Sequence, residues 1–464
     1  MARWNQASVH RGDRDGWEGY YHRWMKRVYC SLVPPGQRVL EIGCGRGDLL
    51  AALKPEFGVG VDFSEKMLCI AVKRHPDLQF IQADAQSLGL KGSFDIIILS
   101  DLVNDVWDVQ AVFQEAARLS DPRTRLILNF YSRLWELPLS LVERFGLANP
   151  TLYQNWLTVE DIRNLLYLTD FEVVRHWREF IWPVDTPLVA KLLNRFLVRL
   201  WPIDQLALIN FVIARPQPQK ALGSAEPQLS VVIPTRNEAG NIANIFKRMP
   251  QMGCNTELIF VEGHSTDNTR SIIEQEIKCH PEICGQLLLQ TGIGKGDAVR
   301  LGFEHASGNI LIILDADLTV QPEDLPLFYA VLRSGKAELV NGVRLVYPME
   351  KQAMRFLNML GNKFFSLVFS WLLGQPIKDT LCGTKALWKV DYEKIAANRR
   401  FFGDFDPFGD FDLLFGAAKL NLKIADLPIR YHERIYGATS IDRWKHGMLL
   451  LRMALFAAGR IKFY

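Results

Sequence analysis

The stretch Asn309-Ile-Leu-Ile-Ile-Leu-Asp-Ala-Asp-Leu318 constrains this chain more than any other, because an apolar run breaks off abruptly into two carboxylates one residue apart. Five of the six residues before Asp315 are aliphatic and show no helical period, so the segment reads as a central parallel strand covered on both faces. Asp315 and Asp317 then fall at its C-terminal edge, where open α/β sheets bind ligands. Two such carboxylates can converge on one hard cation, Mg²⁺ or Mn²⁺, which in turn can hold phosphate oxygens. The competing reading is a solvated strand end, and the surroundings decide between the two.

At 464 residues the chain exceeds one ordinary core and predicts two or three domains. Hydrophobic residues at 48% can fill such cores, and a net charge of +3 over this length leaves no footprint for nucleic acid. Seven cysteines without a Cys-x-x-Cys pair indicate neither a disulfide framework nor a zinc site, which suits a reducing compartment. The N-terminus lacks the apolar core of a signal peptide, and no apolar run approaches the roughly 20 residues that span a bilayer. The expectation is therefore a cytoplasmic chain. Phe364 to Leu373 and Met448 to Ala458 are shorter apolar runs that fit either core helices or a membrane surface, with core burial the default.

Trp17 to Val28 mixes aromatic and basic residues as an amphipathic helix leading into the first domain. A short strand then opens into Glu41-Ile-Gly-Cys-Gly-Arg-Gly-Asp48. Gly43, Gly45 and Gly47 remove side chains where the backbone must bend and approach a ligand. A second strand ends in Asp62, the place from which such folds grip a ribose diol. Together with Val-Asp-Phe-Ser and the strand-like segments Phe80 to Ala85, Phe94 to Ser100 and Thr124 to Phe130, this series resembles the class I S-adenosylmethionine-dependent methyltransferases from about Arg38 to Ala214. The resemblance implies that Glu41, the three glycines, Asp62 and Asp84 hold S-adenosylmethionine. It also places the methyl acceptor near Asp101, Asn104, Asp105, Trp107 and Asp108, among which no base is assigned.

Thr158 precedes Val-Glu-Asp as the cap of a helix, and Phe171 to Trp177 and Leu206 to Ala214 read as the last two strands of this half. The proline- and glutamine-rich stretch 215–228 is a linker, which sets the first domain at 1–214 and the second at 229–464.

Leu229-Ser-Val-Val-Ile-Pro-Thr-Arg-Asn-Glu238, Glu257 to Thr269, Gly294-Lys-Gly296 and Leu314-Asp-Ala-Asp-Leu318 follow one another in the order seen in glycosyltransferase family 2. The chain most resembles its polyprenyl-phosphate, dolichol-phosphate mannosyltransferase-like members, from Leu229 to about Lys445. The implied fold class is α/β with two doubly wound domains, a Rossmann-like methyltransferase fold followed by a GT-A nucleotide-sugar-binding fold. The implied metal ligands are Asp315 and Asp317. Pro234, Asn237, Glu238, Glu262, Lys295, Asp315, Arg344 and Arg434 would contact the nucleotide-diphosphate sugar, Arg355 and Lys385 the acceptor, and Asp412 or Asp410 would act as base. Two departures stand out: Glu262-Gly263 replaces a pair of adjacent acids, and Thr319 stands where close relatives often carry glutamine.

The resulting expectation is a bifunctional enzyme, transferring a methyl group in its first half and, with inversion, a sugar to polyprenyl phosphate in its second, at the inner face of the membrane. The alternative is a sugar transferase acting on a soluble or glycan acceptor, with a non-catalytic cofactor-binding first half.

Overall fold

A computed structural model of the chain describes residues 17–144, 155–218, 226–344, 346–347, 356–399, 409–434, 436 and 443–463. It divides into two compact units, Met1–Gln217 with Lys462–Tyr464, and Pro218–Ile461.

In the first unit, helix α1 (Trp17–Leu32) leads into β1 (Arg38–Ile42), α2 (Asp48–Ala52), β2 (Phe57–Asp62), α3 (Glu65–Arg74), β3 (Gln79–Gln82), β4 (Ile96–Ser100), α4 (Val109–Arg118), β5 (Arg125–Tyr131), α5 (Glu136–Arg144), α6 (Val159–Leu168), β6 (Phe171–Glu179) and β7 (Ile209–Pro216). The seven strands run in the order β3-β2-β1-β4-β5-β7-β6. The first five are parallel and β7 is antiparallel to both neighbours. Strand β4 shows why an unbroken apolar run belongs here: Ile97 and Leu99 enter one core while Ile96 and Ile98 enter the other, so both faces of the sheet are covered. Each fully buried side chain of this size contributes about 1.5–3 kcal/mol.

Helix α1 forms because Tyr21, Trp24, Met25, Val28, Tyr29 and Leu32 recur at helical spacing and are all buried on the second core. Asp108 caps α4 by accepting from the Ala111 amide at 3.0 Å. Thr158 and Asp161 form the capping box that opens α6. Strand β7 runs two residues into the stretch read as linker, and Arg215 there is buried on Glu172 at 2.5 Å.

The second unit comprises β8 (Leu229–Thr235), α7 (Ala239–Arg248), β9 (Thr256–Glu262), α8 (Thr269–Cys279), β10 (Cys284–Leu289), α9 (Lys295–His305), β11 (Ile310–Ile313), α10 (Leu325–Arg333), β12 (Leu339–Val343), α11 (Phe356–Leu373), β13 (Lys385–Trp388), α12 (Lys389–Ala397), α13 (Asp410–Lys419), β14 (Ile424–Pro428) and α14 (Arg443–Ile461). Strand order is β10-β9-β8-β11-β13-β12-β14. The strand before Asp315 is central and fully buried. It is parallel to β8 but antiparallel to β13, so the sheet is mixed where the apolar run alone suggested parallel neighbours. The chain is thus α/β, two units each built on a seven-stranded sheet with the Rossmann-like and GT-A orders the sequence implied.

Candidate functional site

Each unit gathers its chemistry at the C-terminal ends of its parallel strands. In the first unit, Gly43, Gly45 and Gly47 take φ values of 79°, 51° and 73°, the left-handed backbone that glycine adopts without penalty. A Cβ on Gly43 would lie 2.9 Å from Leu102, and one on Gly47 would lie 2.7 Å from Phe80. One at Gly45 meets nothing within 4 Å, so the middle of the loop faces open space.

Glu41 and Asp62 hold this loop from either side. Glu41 is buried and accepts from the Leu50 amide at 3.0 Å; burial, with Asp62 and Asp48 nearby, pushes its carboxyl up to about 8. Asp62 accepts from the Gly45 and Ser64 amides at 2.9 and 2.8 Å, and burial raises its carboxyl too. Asp84 lies just past β3 and accepts from the Gln86 amide at 2.9 Å. The three acids therefore flank a left-handed glycine loop at the ends of β1, β2 and β3. An open loop with carboxylates ready to accept hydroxyl hydrogens fits an adenosine-bearing cofactor.

Beyond β4, Asn104 is buried, donates to the Asn155 carbonyl at 2.8 Å and accepts from the Tyr131 amide at 3.0 Å, while Trp107 is 89% exposed. Asn104 is thus a structural tie and Asp108 a helix cap. Asp101 accepts from the Tyr21 hydroxyl at 2.6 Å and from Asn129 at 2.5 Å, a pairing of remote residues that local sequence could not reveal.

In the second unit, Asp315 pairs with Lys295 at 2.5 Å and Asp317 with Arg434 at 2.5 Å. Burial would raise the Asp315 carboxyl, but Lys295 beside it, with Lys385 and Arg344 further off, holds it below its usual value. Thr319 donates its amide and hydroxyl to Asp317 at 3.1 and 2.8 Å, so this departure from the glutamine pattern serves to orient the carboxylate. Gly383 lies directly on the first ion pair: an added Cβ would sit 2.1 Å from Lys295 Nζ and 2.2 Å from Asp315 Oδ2. Gly409, at φ 73°, likewise presses on Gly296, which joins the starts of α9 and α13. Two carboxylates one residue apart at a strand end form a donor set suited to a hard divalent ion, for which Lys295 and Arg434 compete.

Glu238 stands on the same cluster, 3.7 Å from Arg434, and burial pushes its carboxyl up to about 7 against the pull of Arg434. Pro234 lies on β8. The Asn237 amide donates to the Ser265 hydroxyl at 3.0 Å, its side chain accepts from the Thr266 amide at 2.7 Å, and Glu262 accepts from the Ser265 amide at 2.5 Å. The β8 and β9 turns are thereby tied into one edge. At Gly263 a Cβ would lie 2.7 Å from Gln290 Oε1, so the second acid of the family pattern has no room unless Gln290 moves.

Arg344, expected over the phosphates, is committed to buried Asp379 through bonds of 2.7 and 2.9 Å and stacks 5.0 Å over Tyr431. Burial would raise Asp379, but Arg344 outweighs it and brings the carboxyl down to about 2. Asn362 adds a bond to Asp379 at 2.7 Å. Lys385, expected at the acceptor, is fully buried and donates to the Cys382 carbonyl. Asp412 accepts from Arg399 at 2.8 Å, and Arg399 also reaches the Tyr392 hydroxyl at 3.3 Å. Asp410 begins α13, and Arg355 lies outside the described residues.

Comparison with known proteins agrees with the two halves. The model for "Methyltransferase domain" matches residues 39–123, and that for "Glycosyl transferase family 2" matches residues 230–395. Glycosyltransferase AglJ of Haloferax volcanii is 28% identical over 222 residues, covering 47% of this chain and 68% of the relative. Dolichol-phosphate mannosyltransferase of Pyrococcus furiosus is 29% identical over 175 residues, covering 37% of this chain and 49% of that protein. The chain thus spans about two thirds of one of these relatives and half of the other. Among solved structures, an S-adenosylmethionine-dependent methyltransferase from Mesorhizobium loti aligns at 24% identity with a TM-score of 0.34, over 43% of this chain and 100% of that one. Residues 39–123 thus match a methyltransferase domain and residues 230–395 a glycosyltransferase family 2 domain, the composition of an enzyme.

Proposed function

We propose that the chain is bifunctional: its second domain, 229–464, transfers a sugar from a nucleotide-diphosphate donor to polyprenyl phosphate with inversion, and its first, 1–214 extended by the last two residues of β7, transfers a methyl group from S-adenosylmethionine. The carrying observation is the cluster at the end of β11, where Asp315 and Asp317 are met by Lys295 and Arg434 within a segment matching the sugar-transferase family.

The cluster answers the central demand of the reaction, which is to neutralise the charge growing on a departing diphosphate. Asp315 and Asp317 would hold the divalent cation, Mg²⁺ or Mn²⁺, whose role is to screen that charge. Lys295 and Arg434 stand ready to turn from the carboxylates to the phosphates. Pro234, Asn237, Glu238 and Glu262 form the edge that receives the nucleoside, with Arg344 locked behind it as a scaffold for the acceptor-side turn.

A phosphate acceptor is already ionised at neutral pH and needs no base. The Arg399–Asp412 pair supports the same reading, since it suits Asp412 to positioning a cation. The relative named dolichol-phosphate mannosyltransferase points to a lipid-linked acceptor. So do the exposed apolar side chains of α11 (Phe364, Leu367, Trp371) and α14 (Met448, Leu451, Leu455), with Arg452 among them. Among the described residues no helix is long and apolar enough to cross a membrane. The proposed location, resting on these exposed apolar and basic side chains, is peripheral, at the inner, cytoplasmic face. In the first domain the glycine loop, Glu41, Asp62 and Asp84 would hold S-adenosylmethionine, which supplies an already electrophilic methyl group.

The test is a thermal-shift panel of nucleotide sugars with Mn²⁺, then transfer of labelled sugar from the best binder to polyprenyl phosphate in anionic liposomes. Asp317→Ala should abolish transfer. Transfer to soluble glycans only, without liposome binding, would sink the lipid reading. For the first domain, calorimetry with S-adenosylmethionine should give binding that Asp62→Ala abolishes, and binding without methyl transfer to any product of the second domain would favour a cofactor-sensing module.

A further inference from the structure

The segment between β6 and β7 leaves the sheet at the edge that carries the glycine loop. Strands β5 and β6 both run antiparallel to β7 and hence parallel to each other, so β6 ends at the same edge as β1 and β4. Val189 to Arg199 then forms one irregular helical stretch whose apolar and polar sides are reversed. Leu188, Leu192, Phe196 and Leu200 recur every four residues and are exposed, while Ala190, Asn194 and Val198, also four apart, are buried. A helix at a water-facing surface normally shows the opposite arrangement.

Polar groups fasten the inward side. Asn194 accepts from the Ile181 and Trp182 amides, both at 2.8 Å, and donates to the Trp182 carbonyl at 2.8 Å and the Tyr20 hydroxyl at 3.1 Å. Arg199 is buried on Glu179, which also accepts from Trp177 Nε1 at 2.8 Å. A strained turn opens the outward side: the Val189 amide donates to the Pro187 carbonyl at 2.8 Å around Leu188, whose φ of 65° belongs to the rare γ-turn. That turn leaves Leu188 83% exposed. The stretch is therefore fixed with its large apolar side chains toward solvent.

Charge and aromatic content select the occupant. Residues 187–201 hold three cations and no acid. Arg199 turns inward, while Lys191 is exposed and Arg195 partly so. The acids nearest in sequence are matched, Asp185 by Arg23 at 2.8 Å and Asp204 by Arg178 at 3.0 Å. Trp182 and Trp201 flank the stretch and are exposed, Trp201 at 82%. Leucines bordered by tryptophan and cations match the boundary of an anionic bilayer, where the rings sit at headgroup depth and lysine reaches the phosphates. We propose that this face of the first domain docks on an anionic lipid surface. The contact is separate from that proposed for α11 and α14, and it holds independently of the methyl-transfer reading.

The experiment is hydrogen–deuterium exchange of the full chain, read by mass spectrometry, alone, with phosphatidylcholine vesicles, and with vesicles of phosphatidylcholine mixed with phosphatidylglycerol. Peptides spanning 187–201 should exchange severalfold more slowly with the anionic vesicles and change little with phosphatidylcholine alone. Leu188→Glu combined with Leu192→Glu should remove that slowing and weaken co-sedimentation roughly tenfold. Lys191→Gln, a single change at an exposed position, should weaken it about fivefold on anionic vesicles only. Unchanged exchange over 187–201 while peptides of α14 slow overturns the proposal and leaves the second domain's lipid contact standing; no slowing in either overturns both. Slowing that follows protein concentration without vesicles assigns the face to a second copy of the chain and likewise overturns the proposal. Calorimetry with S-adenosylmethionine on the same preparation reports the cofactor reading separately.

Discussion

Replacing Arg434 with methionine tests the charge logic of the sugar-transfer site, because the two roles assigned to this residue predict opposite changes. In the structure its guanidinium lies 2.5 Å from Asp317 and 3.7 Å from Glu238, with the Arg434 side chain 25% and the Asp317 side chain 13% exposed. A charge-assisted bond of this kind, discounted for the water that reaches it, is worth about 1 kcal/mol, or roughly fivefold in an equilibrium constant. Methionine keeps the unbranched, apolar bulk and removes the charge. Asp317 is then released, so Mn²⁺ alone should bind about fivefold tighter. The donor's diphosphate loses a cation, so UDP or GDP in the presence of Mn²⁺ should bind roughly tenfold weaker. Glu238 loses the influence that holds its carboxyl down and rises above its present value of about 7, which adds no charge to compete for the metal at neutral pH. Calorimetry with Mn²⁺ alone, then with each nucleoside diphosphate at saturating Mn²⁺, reads both effects on one preparation. If Mn²⁺ and nucleotide affinity fall together, Arg434 merely scaffolds Asp317 and the exchange of partners is refuted.

Gly383→Ala forces a methyl group between Lys295 and Asp315; sugar transfer should fall at least tenfold with little change in melting temperature, since the lysine tip can move aside. Asp379→Asn leaves buried Arg344 without its anionic partner, which costs about 3–5 kcal/mol and should appear as a lower urea midpoint. Asp412→Asn should reduce transfer to polyprenyl phosphate less than about tenfold, whereas removal of a true base costs about a hundredfold or more; pre-steady-state rates separate the two. Glu41 has a folded-state value of about 8, above the unfolded value, so the folded form holds the proton longer and stability falls as pH rises from about 4.5 toward 8. Glu41→Gln can still accept from Leu50 and should remove that slope from thermal melts of the first unit.

What could be read in the sequence follows from which interactions are local. Strand positions were legible because burial on both faces leaves unbroken apolar runs, as at Ile96 to Leu99 and Ile310 to Ile313. The glycine loop was legible because left-handed backbone needs glycine. The antiparallel insertion of β13 beside β11 was not, since Lys385–Trp388 carries no mark of its partner and pairs across more than seventy residues.

The same division governs the site. Asp315 and Asp317 announce themselves by adjacency, whereas their partners Lys295 and Arg434 are brought by α9 and by the segment after β14, and only the fold chooses which carboxylate each one meets. Arg344, Lys385 and Asp412 show what only the fold supplies. Each stands in a segment suggestive of ligand contact, and each also bonds to protein groups, among them Asp379, the Cys382 carbonyl and Arg399. A buried ion forms such bonds because leaving it unpaired costs several kcal/mol, so it must be matched by the fold before it can serve a ligand. Lys295 and Arg434 are each 25% exposed, against 11% for Arg344 and none for Lys385, so under the proposed reading they are the cations that exchange carboxylate for phosphate. The proposed division between scaffold and ligand-binding cation therefore rests on burial, a property of the assembled sheet and not of any motif.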